Sequence, residues 1–135
     1  MNHVASPATG DSAIEREIVA KGLTAPRVTP ADITENIASE HYFTAAQGCV
    51  GNVAEYANDA TLGTLDLLTF CVLVLRNGFT VTGESACASP ENFNAEIGKK
   101  IARENAVQKV WPLMGYQLKE QLFQRTQPAQ APVAA

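Results

Sequence analysis

The stretch LDLLTFCVLVLR, followed by Asn77-Gly78 and then FTVTGES, limits this chain more than any other part of it. Asn-Gly between two β-rich runs is the strongest short-range signal for a hairpin. A two-residue turn there pairs Arg76 with Phe79, Val74 with Val81 and Val72 with Gly83 on one face. Leu75–Thr80 and Leu73–Thr82 then lie on the other face. The first strand is apolar on both faces, so both are expected to be covered, while the second is half polar. Two strands alone are marginal in water. A third is therefore expected from the 44–63 region, or from another subunit.

Helices are expected on both sides of the hairpin. DSAIEREIVAKGL reads as a short helix with Asp11 or Ser12 as cap, Glu15 and Glu17 in its early turns, and Gly22 as its stop. TPADITENIASEHYF reads as a better one. Thr29 is the cap, Pro30 takes the first helical position, and Asp32 suits the positive helix end. Ile33 and Ile37 share a face that Tyr42 or Phe43 closes. After the hairpin, Ser89 caps the main helix with Pro90 at its first position. Phe93, Ile97, Ile101 and Trp111 fall on one side of that helix. Ala95, Ala102 and Ala106 form a neighbouring small-residue strip where another helix could approach closely. Pro112 is expected to end or kink it, leaving MGYQLKEQLFQR as a final short helix.

The fold class expected is α+β: an antiparallel sheet centred on the hairpin, N-terminal helices, and a long C-terminal helix packed on the sheet. Residues 13–123 form one domain between disordered tails at 1–12 and 124–135. Residues 44–63 are small, polar and glycine-punctuated, and read as a long mobile loop or one ordered by a partner chain or ligand.

Composition excludes several classes. With 135 residues, 46% of them hydrophobic, a core forms but is small enough that oligomerisation would help. A net charge of −4 argues against non-specific nucleic-acid binding as the main role. Nine acids and three bases precede Arg76, whereas seven bases and five acids occupy the rest, so an anion would bind in the second half. The polar start MNHVASPATGDS has no apolar signal segment, and LLTFCVLVL is too short to span a membrane as a helix. Cys49, Cys71 and Cys87 are odd in number and lack a CxxC, which suits free thiols in a reducing cytoplasm. The histidines are His3 and His41, so a Cys–His nucleophile has little to build on, and no ligand pair has zinc spacing. No enzyme motif offers a nucleophile or a base, and no cofactor is expected.

Some polar residues stand out. Glu104, Asn105 and Gln108 interrupt the apolar side of the main helix. They either line a ligand pocket or polar interface, or cap the nearby sheet. Lys99, Lys100 and Arg103 lie opposite, either as a solvated ion-pair face with Glu96 or as an anion site with the helix start at Ser89. Glu91 in the first turn counts against the anion site. Phe93 and Tyr116 are aromatics on which a purine could stack with Arg103 opposite, although Phe93 equally suits a core position.

The block LLTFCVLVLRNGFTVTGESACASPENFNAEIGKKIARENAVQKVWPLMGYQLKE resembles a family of small tailed-phage and prophage proteins named for gene products 49 and 66 of two phages. The segments NGFTVTGESAC, NFNAEIG, ARENA and WPLMGYQL carry the resemblance, with GLTAPRVTPADI and ASEHYFTAAQG upstream, over roughly residues 22–123. That family includes or stands close to proteins that defeat the Thoeris defence. These bind the cyclic ADP-ribose isomer made by a TIR-domain protein and hold it unhydrolysed, some also holding cyclic oligonucleotide signals. They assemble as dimers or larger rings. The resemblance implies a non-enzymatic signal sponge in the host bacterial cytoplasm, acting as a homodimer or larger homo-oligomer, with no nucleic-acid or membrane partner. The chemistry a sponge needs, base stacking and pyrophosphate neutralisation, nominates Phe93, Lys100, Arg103, Tyr116 and Gln117, with Ser89 and Asn92 at the helix start. The competing expectation is a phage accessory protein that binds a host protein.

Overall fold

A computed structural model describes residues 10–49 and 59–128. Helix α1 (Gly10–Ala20) is followed by α2 (Pro30–Asn36), strand β1 (Ile37–Thr44), the short helices α3 (Ala45–Cys49) and α4 (Asp59–Leu65), strands β2 (Leu68–Leu75) and β3 (Thr80–Ala86), and helix α5 (Ala95–Thr126). The strands form one antiparallel sheet in the order β1-β2-β3, with α5 across one face. The architecture is the expected α+β one.

Helix α2 starts as its sequence dictates. Thr29 Oγ1 accepts from Asp32 N at 3.1 Å, and Thr29 N donates to the Asp32 carboxylate at 2.9 Å. Its end differs from expectation. The helix stops at Asn36, and Ile37–Thr44 is the third strand, supplied by this segment rather than by residues 44–63 or a second subunit. Were Ile37–Thr44 helical, one edge of β2, apolar but for Thr69, would be left unpaired. The 44–63 region has helical ends, α3 and α4, and its residues 50–58 lie outside the described residues. Residues 10–12 and 124–126 belong to α1 and α5 rather than to tails; 1–9 and 129–135 lie outside the described residues.

The hairpin is present with a register one residue away from the expected one. Leu73 faces Val81 and Cys71 faces Gly83. The loop is Arg76-Asn77-Gly78: Gly78 N donates to Leu75 O at 2.9 Å, and Leu75 N to Phe79 O at 2.8 Å. Within this loop only Gly78 takes positive φ, at 87°. A two-residue type I′ turn needs positive φ at both centres, whereas Asn77 instead accepts from Phe79 N through its side chain at 2.9 Å. Since a one-residue slip moves side chains to the other face, Cys71, Leu73, Leu75 and Val81 all point toward α5 and are buried.

Helix α5 meets them with its small residues. Gly98, Ala102, Ala106 and Val110 are its buried positions. Ala102 and Ala106 of the expected alanine strip therefore pack against the sheet, not a second helix, while Ala95 is exposed. Gly83 makes this possible: a Cβ there would sit 2.9 Å from Ala106 Cα and closer still to Ala102 O and Ala106 N. Ile97 and Ile101, expected on the apolar side, are 55% and 43% exposed, because Gly98 and Ala102, each one residue further on, take the side that faces the sheet. The helix begins at Asn94, whose side chain accepts from Ile97 N at 3.1 Å. Ser89 instead precedes a separate 3-10 turn, Pro90–Asn92, and makes no side-chain cap. Pro112 neither ends α5 nor starts a new helix; α5 runs through it for 32 residues. Pro112 is exposed, so water can satisfy the carbonyl one turn earlier that its missing N–H leaves free.

Candidate ligand-binding cleft

Between the N-terminal helices and α5 lies a cleft of about 460 Å³. That is within the range of small-molecule sites. α5 contributes Arg103, Glu104, Asn105, Val107, Gln108 and Trp111, which recur at helical spacing along one side of the helix. α2 contributes Pro30, Ile33 and Thr34, and the first turn of α1 contributes Gly10, Asp11 and Ser12.

Two networks shape the cleft. At one end Arg103 Nε donates to Glu40 Oε1 at 2.8 Å, and the Tyr42 hydroxyl donates to Glu40 Oε2 at 3.0 Å. Partial burial works against the Arg103 charge, but the hydrogen bond and charge of Glu40 outweigh it and raise its pKa. Arg103 is thus a fixed cation, with one of its five donors used by Glu40. Burial, followed by the bond to Glu40, pushes the Tyr42 phenol up, and burial likewise pushes up the neighbouring Cys71 thiol. At the other end one oxygen of Asp11 accepts from Trp111 Nε1 at 3.1 Å and from Gln108 Nε2 at 3.2 Å. This carboxylate fastens the start of α1 to α5. The middle of α1 is fastened by Arg27, which donates to both oxygens of Glu15 at 2.5 and 2.6 Å.

The cleft therefore presents a fixed cation, an indole, a side-chain amide, hydroxyls of Ser12 and Thr34, and carboxylates of Asp11 and Glu104. A guanidinium suits phosphate, an aromatic face suits a base, and amides and carboxylates suit base edges and sugar hydroxyls. Among the described residues no group of three or more His, Cys, Asp or Glu could hold a metal ion, and no helix is long and apolar enough to cross a membrane.

Of the residues nominated from the sequence, Arg103 lines this cleft. Lys100 lies one turn earlier on the same side of α5, exposed. Ser89, Asn92 and Phe93 precede α5, where Cys87 Sγ donates to Ser89 O at 3.2 Å. Tyr116 borders a separate groove with Phe79, Lys109 and Leu113, and Gln117 a third depression with Arg27 and Arg76. Tyr116 lies about 32 Å along α5 from Ala95, the first helical residue, at 1.5 Å per residue, and Phe93 precedes that end, so one protomer does not bring them to one ligand. Glu104 and Gln108, flagged as interruptions, do line the cleft. Asn105, the third such residue, lines it too, and also ties the helix to the sheet by donating to Glu84 O at 2.8 Å. Trp111 and Asp11 were missed as site residues. Their contact joins positions 100 apart in sequence, and only the polar N–H of Trp111 hinted at a partner.

The sequence profile of the Phage protein (N4 Gp49/phage Sf6 gene 66) family matches residues 28–122. The chain belongs to this family. The match takes in α2, the whole sheet and nearly all of α5, and so most of the cleft; α1, which closes it, precedes the matched region. No curated protein and no solved structure matches the chain.

Proposed function

We propose that this phage-family protein is an anti-defence sponge. It binds a cyclic ADP-ribose-type immune signal in the host cytoplasm, and related cyclic oligonucleotides, and holds the ligand without cleaving it. The family resemblance suggests the ligand class. The observation that carries the reading is the cleft, where Arg103 and Trp111 stand two turns apart on one side of α5. Arg103 would neutralise pyrophosphate, Trp111 would stack a base, and Gln108 and Glu104 would meet base edges and ribose hydroxyls. Cys71 lies buried beneath α5 and His41 on β1, so neither lines the cleft.

Trp111 is the single tryptophan, so its fluorescence reports on the cleft directly. Titration with cyclic ADP-ribose isomers should change that emission and saturate at one ligand per cleft. At one hundred times the dissociation constant the protein should gain about 2.7 kcal/mol of stability. Arg103→Ala should remain folded and lose the response. No change in emission or stability with any isomer or cyclic oligonucleotide would refute the sponge.

One feature favours the alternative, a protein-binding accessory factor. On the sheet face away from α5, Leu68, Phe70, Val72 and Val74 are only half-buried, and the Phe43 and Phe70 rings stack at 5.4 Å. Loss of a host partner in pull-downs with Phe70→Lys, alongside an inert cleft, would support that role instead.

A further inference from the structure

Helix α1 lies over the cleft without being packed into it. None of its 11 residues is buried, and Ile14 is 58% and Val19 64% exposed. A cavity of about 190 Å³ remains beneath it, bordered by Ile14, Ile18, Val28 and Trp111. A helix this short is marginal on its own in water. Two polar clasps hold it: Asp11 on Trp111 Nε1 and Gln108 Nε2, and Glu15 on Arg27. Elements with so little apolar burial open locally, at a lower free energy than the whole domain.

The first clasp sits in the cleft itself. Asp11, Gln108 and Trp111 border both the cleft of about 460 Å³ and the cavity under α1, so their contact is the partition between the two. The indole N–H and the side-chain amide are donors suited to an acidic or carbonyl oxygen of a ligand. One oxygen of Asp11 already takes both. Its charge also repels any phosphate that approaches Arg103 along the same cleft. The chain beyond α1 can turn: residues 21–26 are exposed, and Gly22 has φ 67° with nothing within 4 Å of an added Cβ.

We propose that α1 is a displaceable plug. In the free protein the Asp11 carboxylate occupies the donors of the cleft. The ligand takes its place as α1 swings out at Gly22, which breaks both clasps and joins cleft and cavity into one site. This role rests on the sponge reading and adds to it an inhibitory contact within the chain. The closed helix lowers the apparent affinity by the fraction of molecules that are open. Hydrogen bonds to a charged acceptor are strong enough that losing this pair raises the open fraction about tenfold or more.

Two variants of the full chain test this. Asp11→Ala removes the clasp in the cleft. Glu15→Gln weakens the second clasp, and Glu15 borders the cavity but not the cleft. In native-state hydrogen exchange without ligand, the amides of residues 14–20 should exchange well before those of β2 and α5. Asp11→Ala should speed them about tenfold or more and Glu15→Gln several-fold, with β2 and α5 unchanged. Calorimetric titration with cyclic ADP-ribose isomers should then show tighter binding in both variants, by the factor that exchange gives for the open fraction. A saturating isomer should speed exchange of residues 14–20 in the parent protein. An α1 that exchanges only with global unfolding, a ligand that slows its exchange, or variants that bind no more tightly than the parent would overturn the plug and leave the sponge standing. If α1 opens as described and none of the three proteins takes up an isomer, the sponge falls and the plug with it.

Discussion

Gly83→Ala is the sharpest test of how the helix and sheet are joined. An added Cβ would lie 2.9 Å from Ala106 Cα, and nearer to the backbone oxygen of Ala102 and the nitrogen of Ala106. All three are backbone atoms, so no side chain can rotate away. Restoring ordinary contact requires α5 and β3 to part by about 1 Å, and a gap of that size forfeits roughly a quarter to a half of the dispersion well at each contact it opens. The contacts involve Cys71, Leu73, Ala102, Ala106 and Val110, all fully buried. Overpacking typically costs about 1–3 kcal/mol; a backbone clash at the centre of the core should reach about 3–4 kcal/mol. Against a total stability of about 5–15 kcal/mol that is severe, and at this chain length corresponds to a loss of roughly 12–16 °C in Tm. Urea unfolding followed by circular dichroism, at one fixed protein concentration, measures it. Gly115→Ala is the control: nothing lies within 4 Å of its added Cβ, and its φ is not positive. It should be neutral or stabilise by about 0.4–1 kcal/mol. A Gly83→Ala protein within about 1 kcal/mol of the parent would refute the close approach.

Other outcomes follow from the same contacts. Asp11→Ala removes the acceptor shared by Trp111 and Gln108, so acrylamide should quench Trp111 more strongly while the urea midpoint moves little. Arg27 donates to Glu15 and holds its carboxyl below the usual value of 4.5. That stabilisation is present at neutral pH and is lost as the pH falls through the lowered value, so Trp111 quenching should rise in acid, and less so in Glu15→Gln, which lacks the titration. The Cys71 thiol is pushed up from 9.0 by burial, so its contribution is present below that value and is lost as the pH rises above it, when the unfolded chain ionises first. The urea midpoint should therefore fall as the pH rises above 9.0, less steeply in Cys71→Ala. In the native protein a thiol reagent should spare Cys71 and react with Cys49 and Cys87, which are only half-buried.

The hairpin was legible because Asn77-Gly78 divides two β-rich runs, but its register was not. Whether Asn77 enters the left-handed region or accepts from Phe79 N is a choice between turns that the same dipeptide allows. The start of α2 was legible through Thr29, Pro30 and Asp32, which act locally. Its end was not, because no Gly or Pro marks Asn36 and the Ile33–Ile37 spacing suits a helix; the demand of β2 for a partner decided it. The alanine strip of α5 was visible, yet its match to Gly83 is a tertiary contact. In the cleft, Arg103 was readable as a cation and Glu104, Asn105 and Gln108 as polar interruptions of the apolar side, but helical periodicity put them on opposite sides of α5, whereas one cleft takes in all four. The role of Asp11 was not readable, because it arrives from the far end of the chain.

The most direct measurement of the sponge is recovery of its ligand. The protein and a cyclic ADP-ribose isomer are mixed at equal concentration, filtered, then heated to denature the protein, and both fractions are analysed by mass and chromatography. The signal should be missing from the first filtrate and return after heating with its mass and retention unchanged. A ligand that passes freely through the first filter, or returns as the linear ADP-ribose of a hydrolysis, would contradict the account.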